Sequence, residues 1–168
     1  MQLTIREPGS AITHFIGCLM ALIAASPLLI KAHGNATYML AMTIFATSMV
    51  LLYAASTIYH SICHVSTKVL RNFQKLDHMM IFVLIAGSYT PVCMIILGGR
   101  IGYTLLALVC GIEVAGIIFK GLLITGPKWF YYINYIAMGL TCRIWLAFSG
   151  RHHLHHRWCN LCSETSGI

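Results

Sequence analysis

Ser56, His60 and Asp77 are the residues whose types and placement could do chemistry. Ser56 and His60 stand four apart, which on a helix puts them on one face, a turn from each other. His64 continues the same stripe, and Asp77 follows a short basic stretch. A Ser, a His and an Asp converging in a helical bundle can make a metal site. An imidazole nitrogen suits zinc, and a carboxylate such as Asp77 either ligates the ion or holds its water. The same three residues can equally form a polar cluster that bonds among itself and to interfacial water. Spacing alone leaves both readings open. Three further polar residues interrupt apolar sequence. Glu113 either faces the bundle or pairs with a lysine, His14 reads as a hydrogen-bond donor within the bundle, and His78 reads as an interfacial contact.

The elements that must carry these residues follow from composition. Of 168 residues, 58% are hydrophobic and only 9% charged, against about 25% charged in soluble domains. The mean hydropathy is +0.79. An ordinary cytosolic domain, a disordered chain and a nucleic-acid binder are excluded, and membrane lipid becomes the expected surroundings. A spanning helix needs about 20 mostly apolar residues. Ala11–Ile30, Tyr38–Tyr59, Met79–Leu97 and Ile101–Phe119 meet that need, and Tyr131–Phe148 is a fifth span interrupted by Arg143. The expected fold is all-α, a polytopic membrane helix bundle. His33-Gly34-Asn35 and Gly98-Gly99-Arg100 read as turns, and Pro27 and Pro91 as kinks inside spans. The first span imitates a signal peptide, with Arg6 before it and Ala24-Ala25-Ser26 within it, but the spans that follow favour an uncleaved helix.

Charge gives orientation. Lys+Arg is 11 against Asp+Glu 4, a net +7. Arg6, Lys68, Arg71, Lys75, Lys120 and Lys128 fall on one side of the predicted spans; Lys31 and Arg100 fall on the other. Basic residues concentrate in cytoplasmic loops, so the N-terminus is expected in the cytoplasm and the chain in the plasma membrane. Trp129 to Tyr132 resemble an interfacial aromatic belt. The seven cysteines suggest no disulfide framework; Cys18, Cys93 and Cys110 lie in apolar runs, where cysteine acts as a small hydrophobe.

Taken in order, several stretches carry a resemblance. They are Arg6-Glu7-Pro8-Gly9-Ser10 before a span containing His14, Ala55-Ser56-Thr57-Ile58-Tyr59-His60, Lys75-Leu76-Asp77-His78, and Leu84-Ile85-Ala86-Gly87-Ser88-Tyr89-Thr90-Pro91. Ile118-Phe119-Lys120 and Tyr135 to Gly139 add to them. From Arg6 to about Cys142 the chain resembles the bacterial hemolysin III family, within the wider progestin and adipoQ receptor (PAQR) superfamily. The resemblance implies a seven-helix membrane protein with a zinc ion near the cytoplasmic face. It implies His60 as a zinc ligand, with Asp77 and Ser56 holding a metal-bound water or its surroundings. Two more ligands come from a His-x3-His pair in the family's seventh helix. Eukaryotic relatives are receptors, some with ceramidase-like amide hydrolysis. Bacterial members are linked to membrane-lipid homeostasis and are named for hemolytic activity. In a hydrolase, zinc would lower the pKa of its water and the carboxylate would assist proton transfer.

After Cys142 the quoted pattern stops. Residues 1–148 read as a transmembrane domain lacking the family's last helices, and 149–168 as an atypical tail rich in His and Cys. His152 and His156 with Cys159-x2-Cys162 would make a metal-binding tail. Alternatively the end is out of frame, because codons exist for Arg143–Ile168 that encode an apolar segment in a shifted frame. On that reading half the zinc shell is missing, and His64 is a substitute ligand for His60's partner. Three functions compete: a hemolysin III-like protein of lipid homeostasis or cytolysis with a zinc-dependent lipid amide hydrolase site; a non-enzymatic sensor or receptor-like protein, or an inactive fragment; and a metal-storage or transport protein using the tail. Membrane lipids are the expected partners, a homo-oligomer the expected assembly, and no nucleic acid is expected.

Overall fold

The computed structural model describes residues 6–63, 65–122 and Gly139. Four helices follow one another: α1 (Pro8–Ala32), α2 (Ala36–Ser61), α3 (Thr67–Pro91) and α4 (Gly99–Leu122), with a π-helical stretch, Val92–Leu97, between the last two. Among the described residues, four stretches are long and apolar enough to cross a membrane: Pro8–Ala32, Ala36–Ser61, Thr67–Leu97 and Gly99–Gly121. The protein is therefore an all-α, multi-pass membrane bundle. The fifth segment, Tyr131–Phe148, and the tail 149–168 lie outside the described residues, as does His64.

Each helix end has a local cause. Pro8 occupies the first turn of α1, where its missing N–H costs nothing. Gly34, at φ +96°, makes the turn after α1. Asn35 then caps α2, its side-chain oxygen accepting from the N–H groups of Thr37 at 3.0 Å and Tyr38 at 3.2 Å. Ser66 caps α3 through Val69 N–H at 3.4 Å. Gly98 and Gly99 both stand at φ +58°, the left-handed region that glycine enters freely, and reverse the chain into α4.

Pro91 does more than kink its helix. Lacking an N–H, it cannot complete the α-helical ladder. The chain beyond it widens by one residue per turn, and Gly98 N–H donates to the Cys93 carbonyl at 3.0 Å. A larger departure from the sequence expectation lies at the other end of α3. The span was expected from Met79, with a basic loop before it and Asp77 at its opening. The helix instead starts at Thr67, so Lys68, Arg71, Lys75 and Asp77 are all helical. Hydropathy reports depth in lipid; Ser66 sets where the helix begins, and α3 extends past its apolar part.

The packing inverts that of a soluble protein. Large side chains such as Ile12, Phe15, Ile23 and Ile30 are exposed on α1, while Ala11, Ala21, Ala41, Ala46, Ala55, Ser48 and Ser56 are buried. Lipid is as apolar as leucine, so helices gain little by hiding large apolar groups from it. They associate where small residues let backbones approach. Gly87 of α3 is one such place. A Cβ there would collide with the Ser48 side chain on α2, its Cβ only 2.7 Å away.

Gly87→Ala is therefore expected to destabilise the bundle by about 1–3 kcal/mol. Gly111→Ala, whose Cβ would meet nothing within 4 Å, is expected to be neutral or mildly stabilising. Thermal unfolding of both variants in the same detergent checks the contrast; equal stability would contradict the close α2–α3 approach.

Candidate functional site at the shared helix ends

Antiparallel helices bring alternate ends to one face. The start of α1 meets the end of α2, where the Glu7 N–H donates to the His60 carbonyl at 3.2 Å. The start of α3 meets the end of α4, where the Lys75 ammonium donates to the Gly121 carbonyl at 3.0 Å. Both bonds answer the same need, since the last carbonyls of a helix have no partner within it. Arg6, Lys68, Arg71, Lys75 and Lys120 therefore belong to one end of the bundle, and Lys31 and Arg100 to the other. For the described cations that is the grouping expected from the sequence, although Lys68, Arg71, Lys75 and Lys120 stand on helices and not in loops; Lys128 lies outside the described residues.

His60 is the centre of the polar cluster at this end. Its side chain is 17% exposed, and its Nδ1 lies 2.8 Å from Glu7 Oε2. A carboxylate oxygen only accepts, so Nδ1 carries the proton and donates. The other ring nitrogen, Nε2, is left with a lone pair when the imidazole is neutral. Glu7 thus holds His60 at two points, through its own N–H on the carbonyl and its carboxylate on the ring. His14 of α1 stacks on the ring face, its ring 5.4 Å from that of His60 and 8° from parallel. Tyr59 tilts against the His60 ring at 4.9 Å. Arg6 completes the group, its guanidinium 5.1 Å above the Tyr59 ring and 3.5 Å from Glu7 Oε1. A hydrogen bond with Tyr59, and then the charge of Glu7, raise Arg6 above the ordinary guanidinium value, so it stays charged.

The residues expected to act with His60 are placed as follows. Ser56 is buried, one turn earlier on α2. Asp77 is half-buried on α3. Among the described residues, no hydrogen bond or ion pair joins Asp77 to Ser56 or His60, and no three His, Cys, Asp or Glu side chains gather closely enough to hold a metal ion. His60 with a carboxylate on Nδ1 has the form that a metal-bound histidine keeps. It fits one of the four positions of a tetrahedral zinc; the described residues do not close the shell. His78 bonds back to its own helix, with Nδ1 2.6 Å from the Gln74 carbonyl. His14 contributes ring stacking, where hydrogen bonding was expected. Glu113 is buried in α4, and neither carboxyl oxygen has a partner. It faces the bundle and, among the described residues, does not pair with a lysine.

Glu7 is the residue that sequence reasoning missed. It stood inside the quoted Arg6-Glu7-Pro8 motif without a role. The available signal was scarcity, because the chain has only four acidic residues. One of them stands just before a helix-starting proline, at the end of the bundle where the sequence also places His60.

The model of the family described as "Haemolysin-III related" matches residues 3–162. That match continues past Cys142, where the quoted motifs end. The chain is 46% identical over 121 residues to Hemolysin-3 of Bacillus cereus, covering 71% of this chain and 54% of that protein. It is 45% identical over 120 residues to the Hemolysin-3 homolog of Bacillus subtilis (strain 168), covering 70% and 55%. The chain therefore spans about half the length of the curated relatives it matches. No solved structure matches it.

A double-mutant cycle on Glu7→Ala and His60→Ala tests the cluster. Residues in direct hydrogen-bond contact couple by about 0.5–3 kcal/mol. Glu7 is 43% exposed, so the coupling is expected in the lower part of that range. Strictly additive losses in unfolding free energy would show that the pair does not hold α1 to α2.

Proposed function

The chain belongs to the haemolysin-III related family, and from that premise we propose that it acts on membrane lipids, in lipid homeostasis with cytolysis as the outward effect. The supporting observation is the Glu7–His60 contact. It fixes a histidine at the membrane edge with Nε2 free to act as a base or a ligand. An acid–imidazole pair at the end of an apolar bundle, reachable from lipid, suits a lipid with a polar head. The names of the relatives, Hemolysin-3 and its homolog, agree with a membrane-directed activity.

The cofactor in this proposal is zinc, with His60 as a ligand. Asp77 is proposed as a further ligand or, with Ser56, as the holder of a metal-bound water. Zinc would supply an acidified water for lipid amide hydrolysis, the chemistry that the PAQR resemblance implies for some eukaryotic relatives. The described residues themselves do three things. Glu7 sets the proton on Nδ1 of His60, the stacked His14 and tilted Tyr59 rings fix the ring plane, and Ser56 places a hydroxyl one turn deeper. The remaining ligands would come from outside the described residues, where His64 is the substitute the sequence offers. The basic end of the bundle is proposed to face the cytoplasm, by the concentration of Lys and Arg there.

Metal analysis of the purified protein is the test. Stoichiometric zinc is expected, lost in His60→Ala and retained when residues 151–168 are removed. Zinc retained in His60→Ala would contradict the proposed site, and zinc lost only on removing the tail would favour metal storage by its His and Cys. Absence of zinc together with undiminished leakage of liposomes would favour the non-enzymatic membrane protein.

A further inference from the structure

A second polar feature lies away from the Glu7–His60 end and is independent of it. α2, α3 and α4 enclose a groove of about 710 Å³ with almost wholly apolar walls, within the roughly 300–1,000 Å³ typical of small-molecule sites. Glu113 lines it from α4. It is 1% exposed, and both carboxyl oxygens are buried without a hydrogen-bond partner among the described residues. Leaving a carboxyl unpartnered among apolar walls is costly, and such a residue in a membrane span marks a site that receives something.

The surroundings select what that is. The Ser48 and Thr90 hydroxyls on the same walls donate to their own helices, at the carbonyls of Phe45 and Ala86, so neither serves Glu113. Calcium takes six to eight oxygen ligands and magnesium a near-octahedral set. One carboxyl and scattered hydroxyls do not supply them, and no three ligating side chains gather among the described residues. A fatty acid would set a second carboxyl against the first. An alcohol brings one donor to two empty oxygens. An ammonium brings three donors on one atom and pairs with a carboxylate by charge-assisted hydrogen bonds.

We propose that this groove binds a single-chain amphiphile with a primary-amine head, its ammonium on the Glu113 carboxyl and its chain along the apolar wall. The site is separate from Ser56, His60 and Asp77, and it requires no metal.

Dodecylamine is the probe, with the full chain reconstituted in lipid nanodiscs and empty nanodiscs as the baseline. Saturable binding above that baseline is expected, with dodecanoate failing to compete. Glu113→Gln keeps the shape but removes the charge, and is expected to weaken binding by about tenfold or more. Thr47→Phe fills the groove and leaves Glu113 in place; it too is expected to lose binding. Unchanged affinity in Glu113→Gln, or equal competition by dodecanoate, overturns the proposal. If Glu113→Gln does not fold, Thr47→Phe decides alone, since binding retained in that variant places the amine elsewhere.

Discussion

Apolar helices in hydrocarbon gain little by turning apolar surface toward one another, because the lipid is just as apolar. What holds them in register must be close backbone approach and a few polar contacts. In this protein the close approach is made by Gly87 against Ser48 and by the buried alanines of α1 and α2. The polar contacts sit at one end, where Glu7 reaches His60 and Lys75 reaches Gly121. Both use helix-end carbonyls that would otherwise lack partners. The arrangement of the four helices depends on this pairing of ends, and so does every proposal about chemistry at them.

The Glu7–His60 contact joins architecture to function. The same residue that closes α1 onto α2 also selects the tautomer of an imidazole suited to ligation. Stacking by His14 and the tilted ring of Tyr59 then restrict the ring plane. Arg6, charged and lying over Tyr59, sits against the second oxygen of Glu7. Four of these five residues lie on the two helix ends that meet here, which places the cluster where lipid head groups would be.

Much of this was legible in the sequence. The four described spans were visible because a run of about 20 apolar residues has few other uses. Asn35 and Gly34 announced the first turn by residue type alone. The beginning of α3 was not legible, since Lys68, Arg71 and Lys75 look like a loop to hydropathy and like a helix to Ser66. Ser56 and His60 were found from spacing, but their partner was not. Glu7 is distant in sequence from His60 and unrelated to it by any helical period. Asp77, chosen for depth along the span, shows no bond to either residue. Contacts between different helices depend on rotation about each axis, and a single apolar sequence leaves that rotation open.

Glu7 fixes the proton on Nδ1 of His60. Selective nitrogen-15 labelling of histidine, read by solid-state NMR at a pH where the imidazole is neutral, measures it directly. In the parent protein the His60 signals are expected to report a protonated Nδ1 and a bare Nε2. In Glu7→Ala they are expected to shift toward the Nε2-protonated form. A His60 tautomer unchanged by Glu7→Ala, or one protonated on Nε2 in the parent, would contradict the account.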